Sequence, residues 1–182
     1  MKNLNIKEIF ALAVQNHQKR NLKVAENLYN KILEVNPKDV DVYYNLGKIF
    51  SESNEYHKAI SCYEKAIKIN FNQADVHNNL GAIFRNLGDH KKAISCYENA
   101  IKINPDYVNA YNNLGTILGE MNHINEAKKY FEKSLHLNSN KKETLEGYGN
   151  ILLKLNHHVK ALRYIRESTG FIRFTQKDFK II

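Results

Sequence analysis

Histidine is the residue whose spacing first suggests a metal site in this sequence, because imidazole is a common ligand of zinc and other transition metals. Histidines recur at intervals of 33 or 34 residues: His57, His90, His123 and the pair His157 and His158. Such spacing indicates equivalent positions on successive structural units, and packed helices lie roughly 8–10 Å apart. Ligation needs nitrogen atoms about 2.0–2.1 Å from one ion. We therefore expect solvated turn residues here and no metal site.

The two cysteines, Cys62 and Cys96, are the other candidates for redox chemistry. They form no CxxC motif and are too few for a disulfide framework. At equivalent positions on neighbouring units, their Cα atoms should exceed the roughly 7 Å limit for a disulfide. We expect free thiols, which suit a reducing compartment and favour a cytoplasmic location. The first residues, MKNLNIKEIF, also lack the apolar run of a signal peptide.

No familiar catalytic motif appears among the 182 residues: the sequence holds no glycine-rich phosphate loop, no HExxH and no GxSxG. An apolar fraction of 43% is sufficient for a real core. Lys, Asn or Glu interrupts every apolar stretch well short of the roughly 18 residues of a membrane-spanning helix. The sequence therefore favours a protein without enzymatic activity, cofactor, small-molecule substrate or membrane contact.

The elements that would position these side chains repeat with a period of 34 residues. Residues 59–70 read AISCYEKAIKIN, and residues 93–104 read AISCYENAIKIN. The same frame divides most of the chain into five repeats, which we number in order: 6–39, 40–73, 74–107, 108–141 and 142–175. Each repeat holds two apolar-periodic stretches separated by a polar turn, which is typical of a pair of antiparallel helices.

Small and large residues occupy fixed positions in each repeat. Position 20 of every repeat is alanine: Ala25, Ala59, Ala93, Ala127 and Ala161. Position 24 is large: Tyr29, Tyr63, Tyr97, Phe131 and Ile165. Together with Leu-Gly at positions 7 and 8 of the central repeats, this pattern resembles the tetratricopeptide repeat (TPR) family. The resemblance implies an all-α fold, a right-handed superhelical solenoid of about five antiparallel helix pairs that fills residues 1–175.

The C-terminal tail, residues 170–182, breaks the helical pattern. Thr169 and Gly170 are typical of a helix stop, and the alternating residues after them favour a short hairpin or an extended strand. We expect this tail to cover the last helix pair, with docking of a partner as the alternative.

The resemblance to TPR proteins also implies a concave groove lined by the first helices, mainly at positions 2, 5, 6, 9, 12 and 13. Asparagine recurs at position 6 and is similar to the asparagine ladder in the repeat superhelix of O-linked N-acetylglucosamine transferases. A side-chain amide can pair with peptide groups whatever their side chains. The alternative is that these asparagines simply face water. The predicted peptide-binding residues are Asn45, Asn79, Asn113, Tyr44, Asn78, Asn112, Lys48 and Arg85.

The sequence thus predicts a non-catalytic scaffold whose partner is a protein or an extended peptide. Two alternatives remain: an accessory module of a glycosyltransferase or other enzyme system, and a binder of RNA or of an acidic surface. The net charge of +8 favours phosphate contact in principle. However, lysines recur at positions 26 and 29, on the second helices and so toward the convex side, which makes nucleic acid in the groove the less favoured partner.

Overall fold

The computed structural model describes residues 5–170, and it falls into two compact units, Met1–Leu87 and Gly88–Ile182. We call them the N-terminal unit and the C-terminal unit. The N-terminal unit holds α1 (Ile6–Gln18), α2 (Leu22–Val35), α3 (Val40–Glu52), α4 (Tyr56–Ile69) and α5 (Ala74–Asn86). The C-terminal unit holds α6 (His90–Ile103), α7 (Val108–Glu120), α8 (Ile124–Leu137), α9 (Lys142–Lys154) and α10 (His158–Thr169). All secondary structure in the described residues is helical, so the predicted all-α class is confirmed.

Helix ends follow local sequence signals. Asn5 begins α1 with a capping box, in which its side chain accepts from Glu8 N at 3.0 Å and Glu8 Oε2 accepts from Asn5 N at 2.9 Å. The turns within the helix pairs contain residues with positive φ, a conformation that glycine and asparagine adopt at least cost. These residues are Arg20, Asn54, Gly88, Asn122 and Asn156. Gly170, at φ 78°, ends α10 as predicted.

Each helix packs on its sequence neighbours within its unit. In the N-terminal unit α1 packs on α2, α3 on α4, and α5 on both α3 and α4. In the C-terminal unit α7 packs on α8, α9 on α10, and α9 also on α7 and α8. The first helices of consecutive repeats, α3 with α5 and α7 with α9, therefore lie side by side. This is the arrangement that positions the candidate site.

The core consists of the small and large residues that define the repeat. All five alanines at position 20 are fully buried, and so are the side chains at position 24, which are at most 1% exposed. A Cβ added at Gly47 would lie 2.7 Å from Cδ1 of Tyr63, and one added at Gly149 would lie 2.6 Å from Cγ1 of Ile165. At Gly47 and Gly149 the two helices of a pair thus approach so closely that an added Cβ would force the neighbouring side chain to shift.

Two departures from the TPR pattern are accommodated by hydrogen bonds. Phe71 stands where the family prefers proline, and its carbonyl oxygen lies 3.1 Å from Nε2 of the buried His77. Ser134 stands where the second and third repeats have alanine, and its hydroxyl lies 3.0 Å from Oγ1 of Thr144. The predicted hairpin of the C-terminal tail falls on residues 171–182, which lie outside the part of the chain that the structure describes.

Candidate functional site

Three of the predicted binding residues come together where α3 and α5 meet in the N-terminal unit. Nδ2 of Asn79 on α5 donates to Oη of Tyr44 on α3 at 3.5 Å. Nζ of Lys48, one turn after Tyr44, lies 5.7 Å from the centroid of the Tyr44 ring. The ring of Tyr63, from α4, has its centroid 6.3 Å from that of Tyr44. Three helices therefore assemble a cluster of an amide, two phenols and an ammonium group.

A pocket of about 200 Å³ opens at this cluster, and we call it the N-terminal pocket. Its lining residues come from α3, α4 and α5: Lys48, Ser51, Glu52, Tyr63, Asn79 and Ala82. Their side chains offer an amide, two hydroxyls, an ammonium and a carboxylate, which supply both donors and acceptors. Such a lining can satisfy a peptide group or a polar side chain of a ligand.

Both phenols of the cluster stay protonated at neutral pH. Burial and the charge of Asp75 raise the pKa of Tyr44, and the hydrogen bond from Asn79 offsets part of that rise. Burial also raises the pKa of Tyr63, well above its ordinary value. The two hydroxyl groups therefore remain hydrogen-bond donors rather than anions.

The other predicted residues of the N-terminal unit lie in three different environments. Asn45 uses its side-chain Nδ2 within its own helix, donating to the carbonyl oxygen of Asp41 at 2.8 Å. Asn78 is buried, 7% exposed, and its Nδ2 donates to Oδ1 of Asn79 at 3.3 Å. Arg85 is half-buried on α5, nearly two turns after Asn79. Asn79 is thus the predicted asparagine that lines the N-terminal pocket.

In the C-terminal unit, both predicted asparagines lie on α7. Asn113 is half-buried. Asn112 is 9% exposed, and its Oδ1 has no hydrogen-bond partner among residues 5–170. A buried amide oxygen without a partner costs about 1–3 kcal/mol, so it marks a place where the local pairing is incomplete.

A second pocket, of about 190 Å³, lies between α7, α8 and α9, and we call it the C-terminal pocket. All five repeat positions that line the N-terminal pocket also line this one. Thr116 corresponds to Lys48, Gly119 to Ser51, Glu120 to Glu52, Phe131 to Tyr63, Gly147 to Asn79, and Asn150 to Ala82. The same concavity therefore forms in both units from consecutive first helices and the large side chain at position 24.

The two pockets differ in chemistry at five of the six paired residues. Gly119 has no hydroxyl where Ser51 has one, Thr116 has a hydroxyl where Lys48 has an ammonium group, and Asn150 adds an amide where Ala82 has none. Phe131 has no hydroxyl where Tyr63 has one, and Gly147 has no amide where Asn79 has one. A Cβ at Gly147 would lie 2.6 Å from Cζ of Phe131, so α9 approaches this ring closely. Asn112 stands at the repeat position of Tyr44. The following repeat has Gly147 at position 6, where the repeat after Tyr44 has Asn79. The C-terminal pocket is consequently the more apolar one.

Comparison with protein families matches this architecture. Sequence models of the tetratricopeptide repeat match residues 74–107 and, in a second version, residues 28–61 and 96–129; a model described as a TPR repeat matches residues 47–88. Together these matches span residues 28–129, more than half of the chain. The chain belongs to the tetratricopeptide repeat family. The predicted antiparallel helix pairs of a TPR solenoid are confirmed with it.

Solved structures of other TPR proteins share the fold. The structure titled "Functional Characterization of Pseudomonas Aeruginosa pilF" is 26% identical with a TM-score of 0.84, covering 93% of this chain and 78% of that one. A crystal structure of MamA is 21% identical with a TM-score of 0.76, covering 87% and 92%. YrrB, titled "a TPR protein with an unusual peptide-binding site", is 20% identical with a TM-score of 0.70, covering 91% and 86%. No curated protein sequence matches the chain.

Of the five repeat positions that line both pockets, four are among those that the TPR pattern predicts for the groove; position 24 is not, nor are positions 8 and 10, which line the C-terminal pocket through Gly115 and Ile151. Positions 6, 9, 12 and 13 were among those expected to line the groove, whereas position 24 was assigned only to the core. Tyr63 and Phe131 are 1% exposed and still border the pockets. For Phe131 the available signal is glycine at Gly119 and Gly147, since neither residue has a side chain that could fill the space beside the ring.

The histidines and cysteines show no arrangement for chemistry in the part of the TPR array that the structure describes. There, no three His, Cys, Asp or Glu side chains are grouped so that they could hold a metal ion. Cys62 and Cys96 are buried free thiols, and burial raises the pKa of each to about 11. Across residues 5–170 no helix has the length and apolar character needed to cross a membrane.

Proposed function

We propose that this TPR protein is a non-catalytic scaffold that binds an extended peptide segment of a partner protein along its first helices. The observation that carries this proposal is the recurrence of one pocket, built from the same five repeat positions, in both structural units. A feature that recurs with the repeat suits a ligand that is itself repetitive, as the backbone of an extended peptide is. The peptide-binding site named for YrrB places such recognition within the range of this fold.

The two pockets would accept different kinds of peptide segment. In the N-terminal pocket, the amide of Asn79 and the hydroxyl of Tyr63 suit a peptide group or a polar side chain. In the C-terminal pocket, Phe131 and Ile151 suit an aliphatic side chain, with Lys154 and Glu120 at the same site for polar neighbours. We propose that Asn45, Asn79 and Asn113 contact the peptide backbone, and that Asn79 contributes most because it lines a pocket.

A protein partner fits the charges around the pockets better than nucleic acid does. Asp75 lies close to Tyr44 beside the N-terminal pocket, where its carboxylate would repel phosphates, whereas the carboxylate of Glu52 is already paired with Arg20. Glu120 lines the C-terminal pocket. The two buried thiols suit a reducing compartment, so we propose that the scaffold works in the cytoplasm.

The experiment that tests this proposal selects decapeptides from a random library displayed on phage with the full chain as bait, then measures their affinities by fluorescence polarisation. Two variants alter one pocket each: Asn79→Ala removes the amide, and Asn150→Trp fills the second pocket from an exposed position. Each is expected to weaken the peptides that use the altered pocket by roughly 5- to 150-fold, because one hydrogen bond to peptide or one filled pocket is worth about 1–3 kcal/mol.

Matched controls lie on second helices of the same units. Asn27→Ala on α2 and Asn125→Trp on α8 make the same changes at exposed positions away from both pockets. They should leave the affinity within about twofold of wild type. Selected peptides that bind Asn79→Ala and Asn150→Trp as tightly as wild type, with all four variants folded by circular dichroism, would show that the pockets are not the binding surface.

A further inference from the structure

A third concavity, of about 480 Å³, lies on a different face of the N-terminal unit. It is formed by the connection between α2 and α3 together with α3 and α4, and we call it the lysine cleft. Its lining residues are Pro37, Lys38, Tyr43, Lys65, Lys68 and Ile69. None of them lines the N-terminal pocket, so the cleft lies apart from the proposed peptide-binding face.

The three lysines of the cleft have no carboxylate partner. Lys23, Lys58 and Lys92 each form a salt bridge with an acidic residue three positions away. By contrast, Lys38, Lys65 and Lys68 form no salt bridge within residues 5–170. Three ammonium groups around one concavity, none of them in a salt bridge with a described residue, give a local positive potential.

The aromatic wall of the cleft is fixed in place. Oη of Tyr43 donates to the carbonyl oxygen of Pro37 at 3.2 Å, and Nζ of Lys65 lies 5.4 Å from the centroid of the Tyr43 ring. Ile69, which is 37% exposed, adds an apolar surface beside it. A ligand here would therefore meet positive charge and apolar surface together.

The C-terminal unit contains a corresponding Tyr-Lys pair, and there a carboxylate of the chain itself lies near the tyrosine. Tyr111 and Lys133 stand at the repeat positions of Tyr43 and Lys65, with Nζ of Lys133 6.0 Å from the Tyr111 ring centroid. At the position of Lys38, the second unit has Asp106, whose charge contributes to the raised pKa of Tyr111. A carboxylate of the chain itself thus lies near the Tyr-Lys pair there, and a lysine replaces it in the lysine cleft.

We infer that the lysine cleft binds an acidic segment of a partner protein, with one of its carboxylates lying near Tyr43 and Lys65 as Asp106 lies near Tyr111. The remaining ammonium groups, on Lys38 and Lys68, pair with further Asp or Glu residues of the segment, and Pro37 and Ile69 contact an aliphatic side chain between them.

Phosphate groups are a poorer fit for this cleft than carboxylates. The cleft contains no arginine, the residue that binds phosphate through two parallel hydrogen bonds. The amide of Val42 at the start of α3 is not available either, because Asp39 Oδ1 already accepts from Val42 N at 3.1 Å. An acidic protein segment is therefore the occupant that the cleft favours over RNA.

The test measures binding of a fluorescein-labelled dodecapeptide of alternating Glu and Leu to the full chain by fluorescence polarisation at low salt. We expect Lys38→Asp, which recreates the arrangement of Asp106, to weaken binding at least tenfold. Lys68→Gln is expected to weaken it several-fold without introducing a negative charge. Lys102→Asp is the matched control: it changes the net charge equally, at the repeat position of Lys68 but on α6, and should alter the affinity less than twofold.

Three results would overturn the inference. The first is equal binding of a Gln-Leu dodecapeptide, which has the same shape without the charge. The second is equal weakening by Lys38→Asp and Lys102→Asp, which would reveal attraction to net charge alone. The third is tighter binding of a twelve-nucleotide single-stranded RNA with the same dependence on Lys38. The Lys38-dependent part of the binding should be the same in an Asn79→Ala background as in wild type, which distinguishes peptide held in the lysine cleft from peptide held at the N-terminal pocket.

Discussion

Replacement of Gly47 by alanine tests the close helix packing on which the N-terminal pocket depends. Gly47 lies in the middle of α3, and a Cβ there would lie 2.7 Å from Cδ1 and 2.8 Å from Cζ of Tyr63, closer still to Cε1. The Tyr63 ring is 1% exposed and packs beside Tyr44, so it has little room to move away. The added methyl group must therefore push α3 and α4 apart or displace the ring.

The size of the effect follows from two opposing terms. Overpacking of a well-packed core costs about 1–3 kcal/mol. Alanine is better than glycine inside a helix by about 0.8–1.0 kcal/mol, which offsets part of that cost. Three ring atoms of Tyr63 lie closer than 3.0 Å to the added Cβ, so we take the overpacking cost as about 2–3 kcal/mol and expect Gly47→Ala to lower the free energy of unfolding by about 1–2 kcal/mol. For a chain of 182 residues this corresponds to a melting temperature lower by roughly 2–8 °C.

Thermal unfolding followed by circular dichroism at 222 nm measures this change. Gly119→Ala is the control, because the added Cβ would meet Cδ1 of Ile151 at 2.9 Å, and that methyl group can rotate away. Its melting temperature should equal or exceed that of wild type. In a Tyr63→Leu background, which lacks the outer ring atoms, Gly47→Ala should no longer destabilise. A melting temperature of Gly47→Ala at or above wild type, or an equal loss in both backgrounds, would refute the packing argument.

Three further predictions concern titration and turn geometry. Burial lowers the pKa of His77 more than its contact with Phe71 O raises it, so the unfolded chain takes up the proton first. Stability measured by urea unfolding should therefore fall as the pH drops below about 6.5, and His77→Gln should lose that part of the pH dependence. The thiols of Cys62 and Cys96, with pKa raised to about 11, should react with iodoacetamide at pH 8 on the order of a hundredfold more slowly than free cysteine, as measured by mass spectrometry. Gly88→Ala should cost about 1–2 kcal/mol in urea unfolding from backbone strain at φ 77° alone, since no atom lies within 4 Å of the added Cβ, whereas Gly88→Asn should be nearly neutral.

The helices were predictable because their positions depend on patterns within one repeat. The alanines at position 20 and the turn residues such as Asn54 and Gly88 are read directly from the sequence, and each observed helix lies within one of the predicted repeats. The start of α1 follows from the spacing of Asn5 and Glu8 in the same way. Local signals of this kind do not depend on which helix packs against which.

The candidate site was less predictable because it depends on pairs of residues in different repeats. Asn112 and Tyr44 share repeat position 5, yet Tyr44 meets an amide from Asn79 while the next repeat after Asn112 offers Gly147. Asn78 was expected to face the groove, but it lies buried beside Asn79. Whether such a side chain is open, paired or buried is set by the neighbour that the fold supplies. A single repeat examined alone does not contain that information.

The effect of a surface charge also depends on the neighbours that the fold places beside it, so the net charge of +8 alone says little about a binding partner. What matters for binding is which lysines have a carboxylate beside them. Lys58 and Lys92 form salt bridges within one helical turn, whereas Lys38 forms none with a described residue. The two Tyr-Lys pairs differ at one repeat position, which is Lys38 in the first and Asp106 in the second. The pair beside Lys38 is open to an external carboxylate, whereas the pair beside Asp106 has a carboxylate of the chain nearby. Because such a position carries little of the core packing, it can change freely while the helices stay the same. In a repeat protein, specificity for a partner therefore resides in the differences between repeats, and the shared pattern specifies the fold on which those differences are displayed.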